Sequence, residues 1–166
     1  GYLENRGRFL FQLYRAVRKA VGKDFPVLVK LNSKDFIRRG LTSKDACFVA
    51  TELDRMGIDA IEVSGGTPAS GTLGPARPNI DKADVEAYFM PLAKKINQQT
   101  SAPVILVGGI RSLKTIRTVF DSQSATFVSM SRPLIREPDL IKRWKAGDKR
   151  KADCISCNLC FRAARS

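Results

Sequence analysis

The sequence contains no histidine. A Ser–His–Asp triad, a Cys–His pair and a Cys₂His₂ zinc finger are therefore excluded within this chain. Long apolar runs are missing too. None approaches the roughly 18 residues of a membrane-spanning helix, so no membrane partner is expected. The chain opens with neither a Met nor a basic-then-apolar leader, and the expectation is a piece of something longer. Acidic residues are scarce: 16 Asp and Glu stand against 29 Lys and Arg, a formal charge of +13. That excess suggests an anionic partner: a nucleic acid, a membrane surface or a phosphorylated small molecule. Cysteine is limited to Cys47, Cys154, Cys157 and Cys160, the last three within seven residues. Disulfide frameworks are more dispersed and belong to secreted chains. The crowding points to thiolates sharing one metal or cluster in a reducing, cytoplasmic compartment.

What is present reads as alternating helices and strands. Phe9, Leu10, Leu13, Val17 and Val21 recur at helical spacing, with Gly22 placed as a C-cap. Pro26–Asn32 is a short β-branched run of strand length. Thr42 and Asp45 form a capping-box signature before the stripe Ala46, Val49, Ala50 and Leu53. Ala60–Ser64 fits a second strand, followed by a Gly-, Pro- and Ser-rich loop from Gly65 to about Pro78. Helix is expected over Asp84–Asn97, kinked or divided by Pro91. Pro103–Val107, a helix capped by Ser112, Thr126–Met130 and a basic helix over Asp139–Ala146 complete the series. Strands that are nearly continuous apolar runs, alternating with helices, predict a parallel α/β sheet. A doubly wound sheet and part of a (β/α)₈ barrel both fit. A complete barrel takes roughly 250 residues.

In such folds ligands meet the C-terminal ends of the strands. Gly108 and Gly109 end the third strand just before a helix. Glycines let backbone N–H groups approach an anion, and a helix N-terminus favours negative charge. Arg132 ends the neighbouring strand and can supply a charged fork to the same phosphate. A tight βα turn explains the glycine pair equally well. Lys30 stands inside an apolar strand, either as a strand-end cation reaching solvent or as a charge facing a ligand. Glu62 interrupts the next strand and reads as structural, or as the ion partner of Lys30.

Cys154, Cys157 and Cys160 have the C-x₂-C-x₂-C spacing that can wrap one iron–sulfur cluster or one zinc ion. A cubane cluster wants a fourth ligand. Cys47 lies on a helix between core positions and reads as a buried structural thiol, so the fourth is expected beyond Ser166. The basic run Lys142, Arg143, Lys145, Lys149, Arg150 and Lys151 reads as a solvated face. Trp144 is the single aromatic among those residues, whereas single-strand binders use several stacking rings.

Several stretches together resemble the old yellow enzyme family, FMN-dependent NAD(P)H:flavin oxidoreductases on a (β/α)₈ barrel. They are Leu3-Glu4-Asn5-Arg6 with Arg8-Phe9-Leu10, then Val27–Asn32, Ile61–Gly66, Pro103–Ser112 and Phe127–Leu140. The segment Cys154–Cys160 resembles the cluster-binding segment of the branch that includes 2,4-dienoyl-CoA reductase and trimethylamine dehydrogenase. The resemblance implies the C-terminal half of a TIM barrel, about four βα units, over residues 1–150, and a truncated iron–sulfur segment over 151–166. It implies Lys30 near the flavin ring and Gly108, Gly109, Ser131 and Arg132 at the FMN phosphate, although Gly is more usual where Ser131 stands. Cys154, Cys157 and Cys160 match three ligands of a [4Fe-4S] cluster. NAD(P)H would be the electron donor and an activated alkene or related small molecule the substrate.

The same resemblance begins after the fourth strand of the barrel. The first four strands, the catalytic residues near the end of the fourth and the substrate-anchoring histidines find no match. No catalytic residue is therefore assigned, and a fragment without a complete active site is expected. Exposed half-barrel edges predict a homodimer or pairing with a missing N-terminal half. The alternatives are a zinc-knuckle nucleic-acid module and another FMN barrel, such as a dihydroorotate or dihydrouridine oxidoreductase.

Overall fold

Four strands pair in chain order, β1 (Leu28–Asn32), β2 (Ala60–Ser64), β3 (Val104–Val107) and β4 (Phe127–Ser129), every pair parallel. This computed structural model describes residues 1–163; residues 164–166, the end of the expected cluster segment, lie outside the described residues. A doubly wound sheet reverses its strand order at a switch point. An order that never reverses is that of a barrel wall, so the structure decides between the two architectures left open by the sequence.

The connections run through helices. Helix α1 (Leu3–Val21) precedes β1, α2 (Ser43–Arg55) joins β1 to β2, α3 (Met90–Asn97) precedes β3, and α4 (Leu113–Asp121) joins β3 to β4. Short helices α5 (Arg132–Arg136), α6 (Leu140–Lys145) and α7 (Leu159–Ala163) follow. The capping box forms as the sequence suggests: Asp45 N–H donates to Thr42 Oγ1 at 3.3 Å, and Thr42 N–H to Asp45 Oδ2 at 3.0 Å. The Asp45 carboxylate also accepts from Arg6 at 3.1 Å, which ties α1 to α2.

Two expectations need correction. Helix α3 begins at Met90 rather than Asp84, with only a 3₁₀ turn at Ala83–Val85 before it. Pro91 lies in its first turn, where the missing N–H leaves nothing unpaired, so the proline starts the helix instead of kinking it. On α1 the stripe Phe9, Leu13, Val17 and Val21 faces outward, with Phe9 77% exposed. The inward side is Gly7, Phe11 and Tyr14, fixed where the Tyr14 hydroxyl donates to the Gly57 carbonyl at 2.7 Å.

Side chains alternate across a strand, so register assigns them to faces. Leu31, Ile61, Val63, Val104 and Leu106 are buried against Ala46, Val49, Ala50 and Leu53 of α2 and Ala93 and Ile96 of α3. Lys30, Glu62, Ile105 and Phe127 lie side by side on the opposite face. That face is incompletely covered: Leu28 is 52% exposed and Phe127 55%. A smaller cluster of Leu140, Trp144 and Ala152 packs on Leu113 and Met130. Trp144 belongs to this core, and its indole N–H donates to the Arg150 carbonyl at 2.8 Å. No helix among the described residues is long and apolar enough to cross a membrane.

Candidate functional site

The C-terminal ends of all four strands open on one cavity of about 340 Å³. Lys30, Ser64, Val107 and Ser129 contribute one residue from each strand, and Gly108, Gly109, Ser131 and Arg132 are among the other lining residues. The five residues singled out from sequence as flavin contacts thus share one hollow. Lys30, Arg111 and Arg132 bring three cations to it, and no carboxylate is among its described lining residues.

The two glycines have a structural explanation of their own. Gly108 has φ 121° and Gly109 φ 72°, conformations that side chains rarely adopt. A Cβ on Gly108 would come within 2.8 Å of the Phe89 ring, and one on Gly109 within 2.7 Å of the Tyr88 ring. The turn is therefore glycine because it is pressed under two aromatic rings, and it also presents backbone to the cavity.

The N-terminus of α4 does not serve as the expected anion site. Glu86 occupies it: Oε2 accepts from the backbone N–H of Arg111 at 2.9 Å, from that of Ser112 at 3.1 Å and from the Ser112 hydroxyl at 3.1 Å. A carboxylate on a helix N-terminus satisfies unpaired donors and the dipole together. The positive character of the cavity comes from side chains instead.

Two arginines that the sequence reading did not assign to the site stand out near it: Arg111 lines the cavity, and Arg77 follows the lining residues Pro75 and Ala76. Arg111 is 4% exposed, and its Nη2 donates to the Ala152 carbonyl at 3.2 Å while Nε has no partner among the described residues. An unpaired buried donor is costly unless something accepts from it. Arg77 stacks over Tyr88, 4.4 Å from the ring centroid, and also faces Phe36 and Phe89, each at 5.3 Å. Burial pulls its pKa below the ordinary guanidinium value. Nothing in the local sequence marks either residue, because their neighbours come from distant segments.

Around Arg77 three consecutive carbonyls are each captured by a different part of the chain. Pro75 accepts from the Tyr88 hydroxyl at 2.8 Å, Ala76 from Asn158 Nδ2 at 2.8 Å and Arg77 from Arg132 Nη1 at 2.9 Å. The same Nη1 donates to Asn158 Oδ1. Arg132 is 8% exposed, and among the described residues no acceptor meets its Nε or Nη2. Lys30, by contrast, is exposed and forms an ion pair with Glu62, its partner in register, as one reading of the sequence anticipates.

Cys154, Cys157 and Cys160 line a second hollow of about 400 Å³. Among the described residues no group of three His, Cys, Asp or Glu side chains comes together to hold a metal ion. Cys47 lies apart, beside Lys95 and Gln99, and burial raises its thiol pKa.

Comparison with known proteins agrees with the parallel α/β fold. The chain is 30% identical over 162 residues to an NADH oxidase of Thermoanaerobacter brockii, covering 96% of this chain and 24% of that protein. A 2-naphthoyl-CoA reductase in complex with 2-naphthoyl-CoA superposes with a TM-score of 0.82 at 26% identity, over 95% of this chain and 24% of that one. Histamine dehydrogenase from Rhizobium sp. 4-9 gives 0.81 at 25% identity, over 97% and 23%. The chain thus spans about a quarter of the length of each. Residues 1–151 match the NADH:flavin oxidoreductase / NADH oxidase family, and the chain belongs to that family of oxidoreductases.

Proposed function

We propose that this chain supplies the FMN phosphate site and one edge of the flavin-ring site of an NAD(P)H-dependent oxidoreductase. The observation that carries the proposal is the single cavity at the strand ends, lined by three cations and no described carboxylate. Lys30 on the first strand and Arg132 beyond the fourth lie three strand spacings apart, roughly 14 Å. An elongated molecule with an anionic end can span that width.

In this reading Arg132, through Nε and Nη2, binds the phosphate, and Gly108 and Gly109 allow backbone to approach it. Ser131 adds a backbone or hydroxyl contact. Lys30 places positive charge beside the ring system, and Glu62 holds and partly neutralises that charge. Bound FMN would supply hydride transfer between a nicotinamide and a small substrate, for which an activated alkene is the class we favour. No catalytic residue is assigned within the chain. We divide the chain into a unit over residues 1–150, which supplies most of the cavity wall, and a cluster-binding segment over 151–166, whose Ser156 and Phe161 also line it.

Cys154, Cys157 and Cys160 would hold a [4Fe-4S] cluster with a fourth ligand outside the described residues, placing one-electron chemistry beside the flavin. The C-x₂-C-x₂-C spacing and the hollow that these three residues line support the reading. The open face of the sheet is covered by a second copy or by the barrel half that this chain does not match. We place the protein in the reducing cytoplasm, where such thiols persist.

The test is an anaerobic visible spectrum of the purified chain during FMN titration, before and after reconstitution with iron and sulfide. Flavin bands that shift and saturate support the site, and a broad sulfide-to-iron shoulder supports the cluster. Spectra that remain the sum of protein and free FMN overturn the flavin reading.

A further inference from the structure

Arg132 belongs to both hollows. It lines the cavity shared with Lys30 and Arg111, and it lines the one containing the three thiols. Asn158 stands against it, two residues before Cys160 and directly after Cys157. Its amide faces two ways: Nδ2 donates to the Ala76 carbonyl at 2.8 Å, and Oδ1 accepts from Arg132 Nη1.

The residue type suits this place on two counts. Asn158 has φ 62°, a left-handed conformation that asparagine tolerates better than most side chains. Its amide is at once donor and acceptor, which the bridge requires. Aspartate could accept from Arg132 but could not donate to Ala76. Ser156, also left-handed at φ 55°, is buried and lines the first cavity, so the cysteine loop touches the anion site at a second point.

We infer that Asn158 is a positioning residue that couples the anion site to the cysteine loop. The inference rests on reading the first cavity as the FMN phosphate site. Arg132 gives one Nη1 to the tether and keeps Nε and Nη2 for the phosphate. Whatever fixes the loop in this conformation therefore fixes the guanidinium. Coupling of this kind is reciprocal. Ligation of the three thiols tightens FMN binding, and bound FMN restrains the thiols.

The experiment uses the full chain, with Asn158→Gly as the variant because glycine accepts the left-handed backbone without strain. Flavin fluorescence gives affinities for FMN and for riboflavin, which lacks the phosphate. Mass spectrometry follows iodoacetamide alkylation of the exposed Cys157 with and without FMN. The expected result is an FMN affinity about tenfold weaker, with riboflavin unchanged. FMN should also slow Cys157 alkylation in the parent chain and not in the variant. A parent that binds FMN, with a variant that keeps both the FMN-to-riboflavin ratio and the protection, overturns the coupling alone. Equal loss for both flavins overturns the positioning role in favour of a structural one. A parent that binds no FMN overturns the phosphate-site reading and the coupling with it.

Discussion

Glu86 closes the N-terminus of the helix that Ser112 begins, accepting from both the backbone N–H and the hydroxyl of Ser112 at 3.1 Å. Those residues are 26 positions apart, and the Ser112 hydroxyl also caps Thr115 N–H at 3.2 Å. Removing the carboxylate leaves the N–H groups of Arg111 and Ser112 without their acceptor. Glu86→Ala should lower unfolding stability by about 1–3 kcal/mol, read as a shifted urea midpoint. Glu86→Gln, which retains an acceptor, should lose less.

A second expectation concerns acid. The Asp148 carboxyl is lowered to about 2, chiefly by the Arg150 side chain. Asp45 is lowered by the Thr42 N–H bond, Asp59 by that of Val27 and Glu137 by that of Asp153. Each group binds its proton less readily folded than unfolded. The unfolded chain therefore takes up more protons in the window between, and stability falls as pH falls. Full stability should hold above the ordinary values, 3.8 for the Asp groups and 4.5 for Glu137, and decline as pH falls below them, the Asp148 contribution persisting until about 2. Asp45→Asn should flatten part of that slope in urea titrations at stepped pH.

The ion pair of Lys30 and Glu62 makes the flavin reading testable by potentiometry. Reduction adds negative charge to the flavin ring, and a nearby cation stabilises it. Lys30→Met should make the bound flavin harder to reduce, lowering its potential. Glu62→Gln should raise it, because Lys30 then keeps its full charge. Identical potentials in both variants would remove Lys30 from the ring site.

Packing gives a simpler check. Leu53 and Leu106 are fully buried in the core between sheet and helices. Leu106→Ala should cost about 2–5 kcal/mol through lost burial and the cavity left behind. Leu28 and Phe127 lie on the open face, so Leu28→Lys and Phe127→Lys should cost little stability. If that face drives self-association, both should shift light-scattering masses toward the monomer.

The strands were legible because each is a short, mostly apolar run bounded by turn residues, and Ala60–Ser64 has the expected bounds. The capping box at Thr42 and Asp45 is local chemistry and was equally legible. Periodicity showed that α1 has an apolar stripe, but it could not show which side meets the sheet. There Phe11 and Tyr14 outweigh the longer row at Phe9, Leu13, Val17 and Val21. Glu86 on α4 and Asn158 on Arg132 act across 26 residues each, and no spacing rule announces such partners. Pro91 carried its signal openly, since a proline belongs in a first turn as readily as at a kink.

The strand order has a mechanical consequence. Lys30 sits on one edge strand of the sheet, and Arg132 leaves the other. A molecule held at both ends acts as a strut across the whole width of the sheet rather than as a local plug. Ligand at 100 times its dissociation constant stabilises a folded state by about 2.7 kcal/mol. Across this sheet that energy would resist the parting of any neighbouring pair of strands. Amide exchange should then slow in β2 and β3 as well as at the two edges, including backbone that the ligand never touches.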